Sequence, residues 1–298
     1  MSTEALHVAV TIATRGRPDG CRRLVEALLV QQIPDSWCLR IVVVDNDPDG
    51  SDLELAADAR VHLVEEQEPG IPFARNRGLE EALPWADVIV FIDDDEVPTD
   101  GWLHRLVNGL DRYDADVTVG PVESVFPTDT PDWVRRNPVF QRRRRPAGAL
   151  LVEAPTGNTA VRSDVFADGL RFSPGFRGSG GEDTHLFRQA YRAGARIRWV
   201  ADAVVNEFVP PDRARFRWVL ARSFRIGANR IQFLRAGPAS TLSLLKVVAG
   251  SGVEILLGVV APIIAIGSRR FGLVLLGRAS RGVGAYAALI GVRYAAYK

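Results

Sequence analysis

The sequence predicts an α/β fold, Rossmann-like, with a mostly parallel central sheet and flanking helices, followed by a helical tail that associates with membrane. Three observations carry this. Strand-like and helix-like segments alternate through the first two thirds of the chain. Leu39 to Val44, a β-branched run broken only by Arg40, and Val88 to Ile92 have the character of parallel strands buried on both faces. Charge is also segregated: from Arg213 to Lys298 there are 14 Lys/Arg and one acid, Glu254, which leaves 37 − 14 = 23 basic and 36 − 1 = 35 acidic residues before them.

In chain order, His7 to Ile12 reads as a strand that ends in the turn-rich Thr14-Arg15-Gly16-Arg17-Pro18-Asp19-Gly20, and Leu24, Val25, Leu28 and Leu29 then recur at helical spacing. The Leu39–Val44 strand stops at Asp45-Asn46-Asp47-Pro48. A short strand follows at Val61 to Val64. Gly70-Ile71-Pro72-Phe73 leads to a helix from Ala74 to Leu83, which places Arg75 and Asn76 at its start. The Val88–Ile92 strand ends in Asp93-Asp94-Asp95-Glu96. Val117 to Val122 is a further strand, and Thr128 to Pro146 is irregular, with Arg142 to Arg145 reading as a solvated loop that would also suit a lipid diphosphate. Asn158 to Phe166 runs on to the glycine-rich Gly175 to Gly181, and Glu182 to Ala193 forms a helix closed by Gly194. Each strand thus empties its carboxyl end into a polar loop, where open α/β sheets bind ligands.

Composition bounds the function. With 298 residues, 47% hydrophobic and 24% charged, the chain can bury a substantial core. An acidic body argues against nucleic acid as the ligand, because a phosphate backbone needs a basic footprint. Cys21 and Cys38 have neither metal nor redox spacing and point to a reducing compartment. Met1 to Leu6 lacks the pattern of a cleaved secretory signal, so the expected location is cytoplasmic.

In the tail, Phe216, Val219, Leu220, Phe224, Ile231 and Leu234 share a helical face among arginines, the pattern of an interfacial helix. Val247 to Ile266 is long enough to cross a bilayer. A single crossing would bury Glu254 and export Arg269, Arg270, Arg278, Arg281, Arg293 and Lys298. A peripheral or re-entrant tail at the cytoplasmic face is therefore expected, with a soluble helical cap as the alternative. The chain divides on this reading into a body, 1–235, and a membrane-associating region, 236–298.

The most informative feature is Asp93-Asp94-Asp95 at a strand end. Crowded carboxylates repel one another unless a cation neutralises them, and a hard divalent ion would do so while leaving positions for phosphate oxygens; an acidic turn facing water is the plain alternative. Asp45 is placed to accept hydrogen bonds from a base or ribose. Glu182 and Asp183 open a helix behind Gly180 and Gly181, which allow close backbone approach; satisfying the helix dipole is their ordinary role. A lone Gly178-x-Gly180 does not indicate dinucleotide binding.

Taken in order, Thr14-Arg15-Gly16-Arg17-Pro18, Val42-Val43-Val44-Asp45-Asn46, Ala74-Arg75-Asn76-Arg77-Gly78, Phe91-Ile92-Asp93-Asp94-Asp95-Glu96 and Gly180-Gly181-Glu182-Asp183 resemble the family-2 glycosyltransferases of GT-A fold. Glu207-Phe208-Val209-Pro210-Pro211-Asp212-Arg213 and Arg222-Ser223-Phe224-Arg225-Ile226-Gly227 look like the branch that includes a succinoglycan glucosyltransferase. The resemblance spans roughly residues 7 to 235.

It implies an inverting transfer of sugar from a nucleotide-diphosphate donor, favouring UDP, to a lipid-linked or glycan acceptor at a membrane surface. It implies a nucleotide site from Thr14, Arg15, Arg17, Asp45, Arg75, Asn76, Asp93 and Asp94. Mg²⁺ or Mn²⁺ would be held by Asp93, Asp95 and Glu207, the base would be Asp183 with Glu182 as its neighbour, and Asn158, Gly180, Gly181, Arg222 and Arg225 would meet the diphosphate or acceptor. Two positions depart from many relatives: Arg15 stands where an aromatic residue stacks on the base, and Asn206 where a histidine is available to the metal. A nucleotidyltransferase and a non-catalytic sugar-nucleotide-binding scaffold are the competing readings.

Overall fold

The structure is a computed structural model that describes residues 5–50, 52–178, 180–236 and 241–292. The strands are β1 (Leu6–Thr14), β2 (Trp37–Asp45), β3 (Val61–Glu65), β4 (Val88–Phe91), β5 (Glu96–Pro98), β6 (Val117–Val119), β7 (Val122–Val125), β8 (Leu150–Leu151), β9 (Thr159–Arg162), β10 (Ile197–Trp199) and β11 (Val205–Phe208). The helices are α1 (Pro18–Leu29), α2 (Ile71–Ala82), α3 (Trp102–Arg112), α4 (Asp132–Arg135), α5 (Glu182–Arg192), α6 (Phe216–Ala236), α7 (Thr241–Gly267) and α8 (Arg269–Leu289).

Eight strands form one sheet in the order β3-β2-β1-β4-β9-β6-β10-β8. The first four of these are mutually parallel, and β9 enters antiparallel between β4 and β6. Register aligns the ends that matter: Thr14 lies beside Asp45, and Thr11 beside Phe91. The largely apolar character of β1, β2 and β4 follows from cover on both faces. Cys21, Leu24, Val25 and Leu28 of α1 and Trp102, Leu103, Leu106 and Leu110 of α3 join one core with Val10, Ile12, Val43 and Val90. Leu79, Phe91, Phe172, Leu186 and Phe187 join another on the other residues of the same strands.

Several expectations change. The run Val117 to Val122 is two strands in different sheets, because it is broken at Gly120-Pro121, where proline has no N–H for the ladder. Helix α2 begins at Ile71, capped by Gly70 and with Pro72 in its first turn, so Arg75 and Asn76 lie in the second turn and not at the N-terminus. Arg142 to Arg145 is an exposed loop, as expected, with Arg144 paired to Glu123.

The chain forms two units. The first comprises Met1–Glu123, Arg143–Arg177 and Glu182–Glu207, and the second Ser124–Arg142, Gly178–Gly181 and Phe208–Lys298. Along the sequence the last division between the units falls between Glu207 and Phe208. Within the second unit, the apolar face of α6 is packed against protein: Val219, Ser223 and Ile231 are buried at a spacing of four or eight. A Cβ on Gly227 would strike the Arg281 carbonyl at 1.8 Å, so α8 covers the face expected to meet lipid.

Candidate active site

The acidic corner is built by the carboxyl ends of β1, β2 and β4. Asp94, 6% exposed, accepts hydrogen bonds from the Thr14 hydroxyl at 2.9 Å and from Arg17 Nη1 at 2.8 Å. The same Arg17 nitrogen donates to Asp95 Oδ2 at 3.1 Å. Burial pushes the Asp94 carboxyl up to about 6, with Arg17 pulling it down and Asp95 adding to the rise. The loop after β1 is thereby tied to the loop after β4. Close approach is permitted by Gly20 of α1, since a Cβ there would lie 2.6 Å from the Asp94 carbonyl oxygen.

Arg75 is the second brace. Its Nη2 donates to Asp93 Oδ1 at 2.9 Å and its Nη1 to Glu182 Oε1, so one buried guanidinium joins the end of β4 to the start of α5. Burial opposes its charge, and Asp93, Glu182 and Asp183 more than offset that, holding the guanidinium protonated well above its ordinary range. Glu182 is itself 4% exposed; burial raises its carboxyl, Arg75 works against the rise, and Asp183 adds to it. Glu182 Oε2 is buried and accepts no hydrogen bond. Asp183 follows it, with Oδ1 accepting from the Thr184 N–H at 2.6 Å.

Two more carboxylates crowd the corner. Glu96, 1% exposed, accepts from the Asp93 N–H at 3.1 Å. Glu207 of β11 stands directly opposite Glu96 in the antiparallel ladder, where like charges repel. Gly157 makes room for the cluster: a Cβ there would lie 2.6 Å from Glu96 Oε1 and 2.8 Å from Asp93 Oδ2. The donor set, all carboxylate oxygen gathered against the Gly157 backbone, is of the kind a hard divalent cation takes. Among the described residues no three acids, histidines or cysteines are assembled as ligands; Asp93 is engaged by Arg75 and Asp95 by Arg17.

The structure thus brings Thr14, Arg17, Asp45, Arg75, Asp93, Asp94, Asp95, Glu182, Asp183 and Glu207 into the first unit. Asp45 is buried beside Thr14, and Arg15 is exposed on the loop after β1. Three expected site residues serve the frame instead. Asn158 is fully buried; its Oδ1 accepts from Trp102 Nε1 at 2.8 Å, and its Nδ2 donates to the Pro121 and Ala203 carbonyls at 2.9 and 2.8 Å. No part of that amide is left for a diphosphate. Asn76 exchanges two hydrogen bonds with the Phe172 backbone, both 2.9 Å. Gly181 is required by packing in the second unit, since a Cβ would meet the Phe233 ring at 2.5 Å.

Gly180, Arg222 and Arg225 also belong to the second unit, where Asn229 Nδ2 donates to the Gly180 carbonyl and Arg222 lies over the Trp218 ring. Sequence reasoning missed Gly157 and the bracing role of Arg75. A glycine between Thr156 and Asn158 carries no local signal, and the Arg75–Glu182 pair is separated by 107 residues.

Comparison with known proteins supplies the class. The chain is 30% identical over 241 residues to the succinoglycan biosynthesis protein ExoM of Rhizobium meliloti (strain 1021), covering 78% of this chain and 77% of that one. Among solved structures, the mannosyltransferase PcManGT from Pyrobaculum calidifontis in complex with GDP-Man and Mn²⁺ superposes with a TM-score of 0.62 at 18% identity, over 95% of this chain and 86% of that one. S. aureus TarS 1-349 in complex with UDP gives 0.51 at 14% identity, over 97% and 93%. These two likenesses show the shared GT-A fold. Residues 9–170 match the family described as Glycosyl transferase family 2. Because that match contains the ends of β1, β2 and β4, and with them the whole Asp93–Glu96 corner, the chain belongs to glycosyl transferase family 2 and is a family-2 glycosyltransferase.

Proposed function

We propose that the protein is an inverting hexosyltransferase that moves a sugar from a UDP-sugar to a hydroxyl of a lipid-linked or polysaccharide acceptor, working at the cytoplasmic face of a membrane. The observation that carries this is the crowding of carboxylates at the end of β4, where Asp93, Asp94, Asp95 and Glu96 follow one another and Glu207 stands opposite Glu96. Such crowding is costly alone and favourable beside a cation. Asp93 and Asp95, with Glu207 in reserve, would hold Mg²⁺ or Mn²⁺. The bound ion supplies neutralisation of the charge that gathers on the departing diphosphate. Structures of fold relatives carry GDP-Man with Mn²⁺ and UDP, which supports the donor class.

The chain's own residues do the rest. Asp45, buried beside Thr14, receives the nucleoside, and exposed Arg15 lies against the base. Asp183 takes the proton from the acceptor hydroxyl; its Oδ1 is steadied by the Thr184 N–H, which leaves Oδ2 for the transfer. As that O–H bond breaks, the acceptor oxygen bonds to the anomeric carbon and the bond to the diphosphate oxygen breaks on the opposite side, so the centre inverts. Glu182 anchors rather than reacts, held through Oε1 by Arg75.

The test is turnover with a panel of UDP-sugars and a lipid extract, comparing the wild type with Asp183→Asn. The variant should retain donor binding and lose transfer by about 10²–10⁴-fold, the worth of a general base. Equal turnover would remove Asp183 as the base. Pyrophosphate release from a nucleoside triphosphate would instead indicate nucleotidyl transfer.

A further inference from the structure

We infer that α7 lies in the plane of an anionic phospholipid surface, its outward face among the acyl chains and the arginines of α6 and α8 at the phosphates. This deepens the membrane part of the reading above and does not depend on the transfer chemistry.

Polarity within the second unit is divided by helix. On α7 the exposed side chains beyond Lys246 are all uncharged: Val253, Leu256, Val259, Ile263 and Ile266 form a stripe, with Leu256 67%, Ile263 70% and Ile266 88% exposed. Phe271, just past the turn into α8, continues it. The stripe runs along the second half of a helix of 27 residues, which is about 40 Å long. The one acid of the tail, Glu254, faces away from the stripe. Its Oε1 accepts from Arg281 Nη2 at 2.6 Å and from Arg230 Nη1 at 3.3 Å, and its Oε2 accepts from Arg281 Nε at 3.1 Å.

From Arg213 onward, then, the sole negative charge is enclosed by two arginines while 14 basic residues stand in the same stretch. A stretch with that net charge attracts anionic headgroups. The same residues argue against a spanning hairpin. Crossing with α7 would draw exposed Arg278 and the Glu254–Arg281 cluster of α7 and α8 into hydrocarbon. Lying flat keeps the long arginine side chains at the interface, where their stems cover apolar surface and their heads stay wet.

The experiment adds the full chain to preformed vesicles of neutral phosphatidylcholine or of phosphatidylcholine with about one third phosphatidylglycerol and reads flotation. Binding should be at least tenfold tighter to the anionic vesicles and fall several-fold at high salt, where surface charges are screened. Leu256→Asp/Ile263→Asp should lose at least tenfold while melting as the wild type does, since both side chains are exposed. Equal binding to both vesicles, an unaffected double variant, or no binding would overturn the proposal. An Arg270→Cys variant in a Cys38→Ser background reports the geometry: a membrane-impermeant maleimide added outside should label it fully, and protection until detergent is added would establish a crossing and refute the flat arrangement. A dimer in sedimentation that Leu256→Asp/Ile263→Asp dissolves, without vesicle binding, would assign the stripe to a second copy and also overturn it. A negative vesicle result leaves glycosyl transfer standing, because no substrate enters the assay.

Discussion

Replacing Arg75 by methionine tests whether that guanidinium braces the site. Arg75 holds Glu182, whose side chain is 5% exposed, and Asp93, whose side chain is 41% exposed. Removing one partner of a buried ion pair costs about 3–5 kcal/mol because a desolvated charge is stranded. The Asp93 half is screened by water and contributes little, so the low end, about 3 kcal/mol, applies. For a protein of this size that is a fall in melting temperature of about 6–12 °C at pH 8. The sign with pH follows from Glu182. Its folded-state carboxyl is raised by burial, with Arg75 opposing, so losing Arg75 raises it further. A raised acid carries no penalty below its unfolded pKa and a growing one as pH climbs through the folded value. The destabilisation should therefore be much smaller near pH 4.5 than at pH 8. Arg75→Met/Glu182→Met, which removes both charges, should recover to within about 1 kcal/mol of wild type. Thermal melts followed by tryptophan fluorescence at the two pH values read all of this. A shift below 2 °C at pH 8 on the scale of about 2–4 °C per kcal/mol, or one equally large at pH 4.5, would refute the bracing argument.

Other outcomes follow from the same geometry. Asp94, raised by burial to about 6, costs stability as pH rises from about 4 through 6, so Asp94→Asn should be more stable than wild type at pH 8 by up to about 3 kcal/mol and lose that advantage at pH 4.5; urea midpoints at both pH values check it. Asn158→Ala should cost at least about 3 kcal/mol, since Trp102 Nε1 and the Pro121 and Ala203 carbonyls all lose their partner, while UDP affinity of the folded protein stays unchanged; wild-type stability with weakened UDP binding would return Asn158 to the ligand site.

Much of the fold was legible because its signals are local. The β2 and β4 runs announce strands buried on both sides, and Asp93-Asp94-Asp95 marks the ligand edge without any long-range information. What escaped depends on partners distant in sequence. Asn158 looks like a polar loop residue until Trp102, Pro121 and Ala203 are seen to consume its amide. Gly181 resembles a ligand-approach glycine until Phe233 is seen against it. The amphipathic spacing of α6 reads as the face of an interfacial helix, but α8 covers that face; the exposed apolar face belongs to α7, whose composition alone does not say which side α8 leaves open. Glu254 counts in the sequence against a single crossing, and the structure shows it enclosed by Arg230 and Arg281.

The central claim is that the carboxylates after Ile92 need a divalent ion to receive a nucleoside diphosphate. Calorimetric titration of UDP into the full chain with Mn²⁺ and with chelator tests it most directly. Binding should tighten at least tenfold, about 1.4 kcal/mol, with the metal, and that gain should vanish in Asp95→Asn. Equal UDP affinity with and without Mn²⁺ would contradict the account.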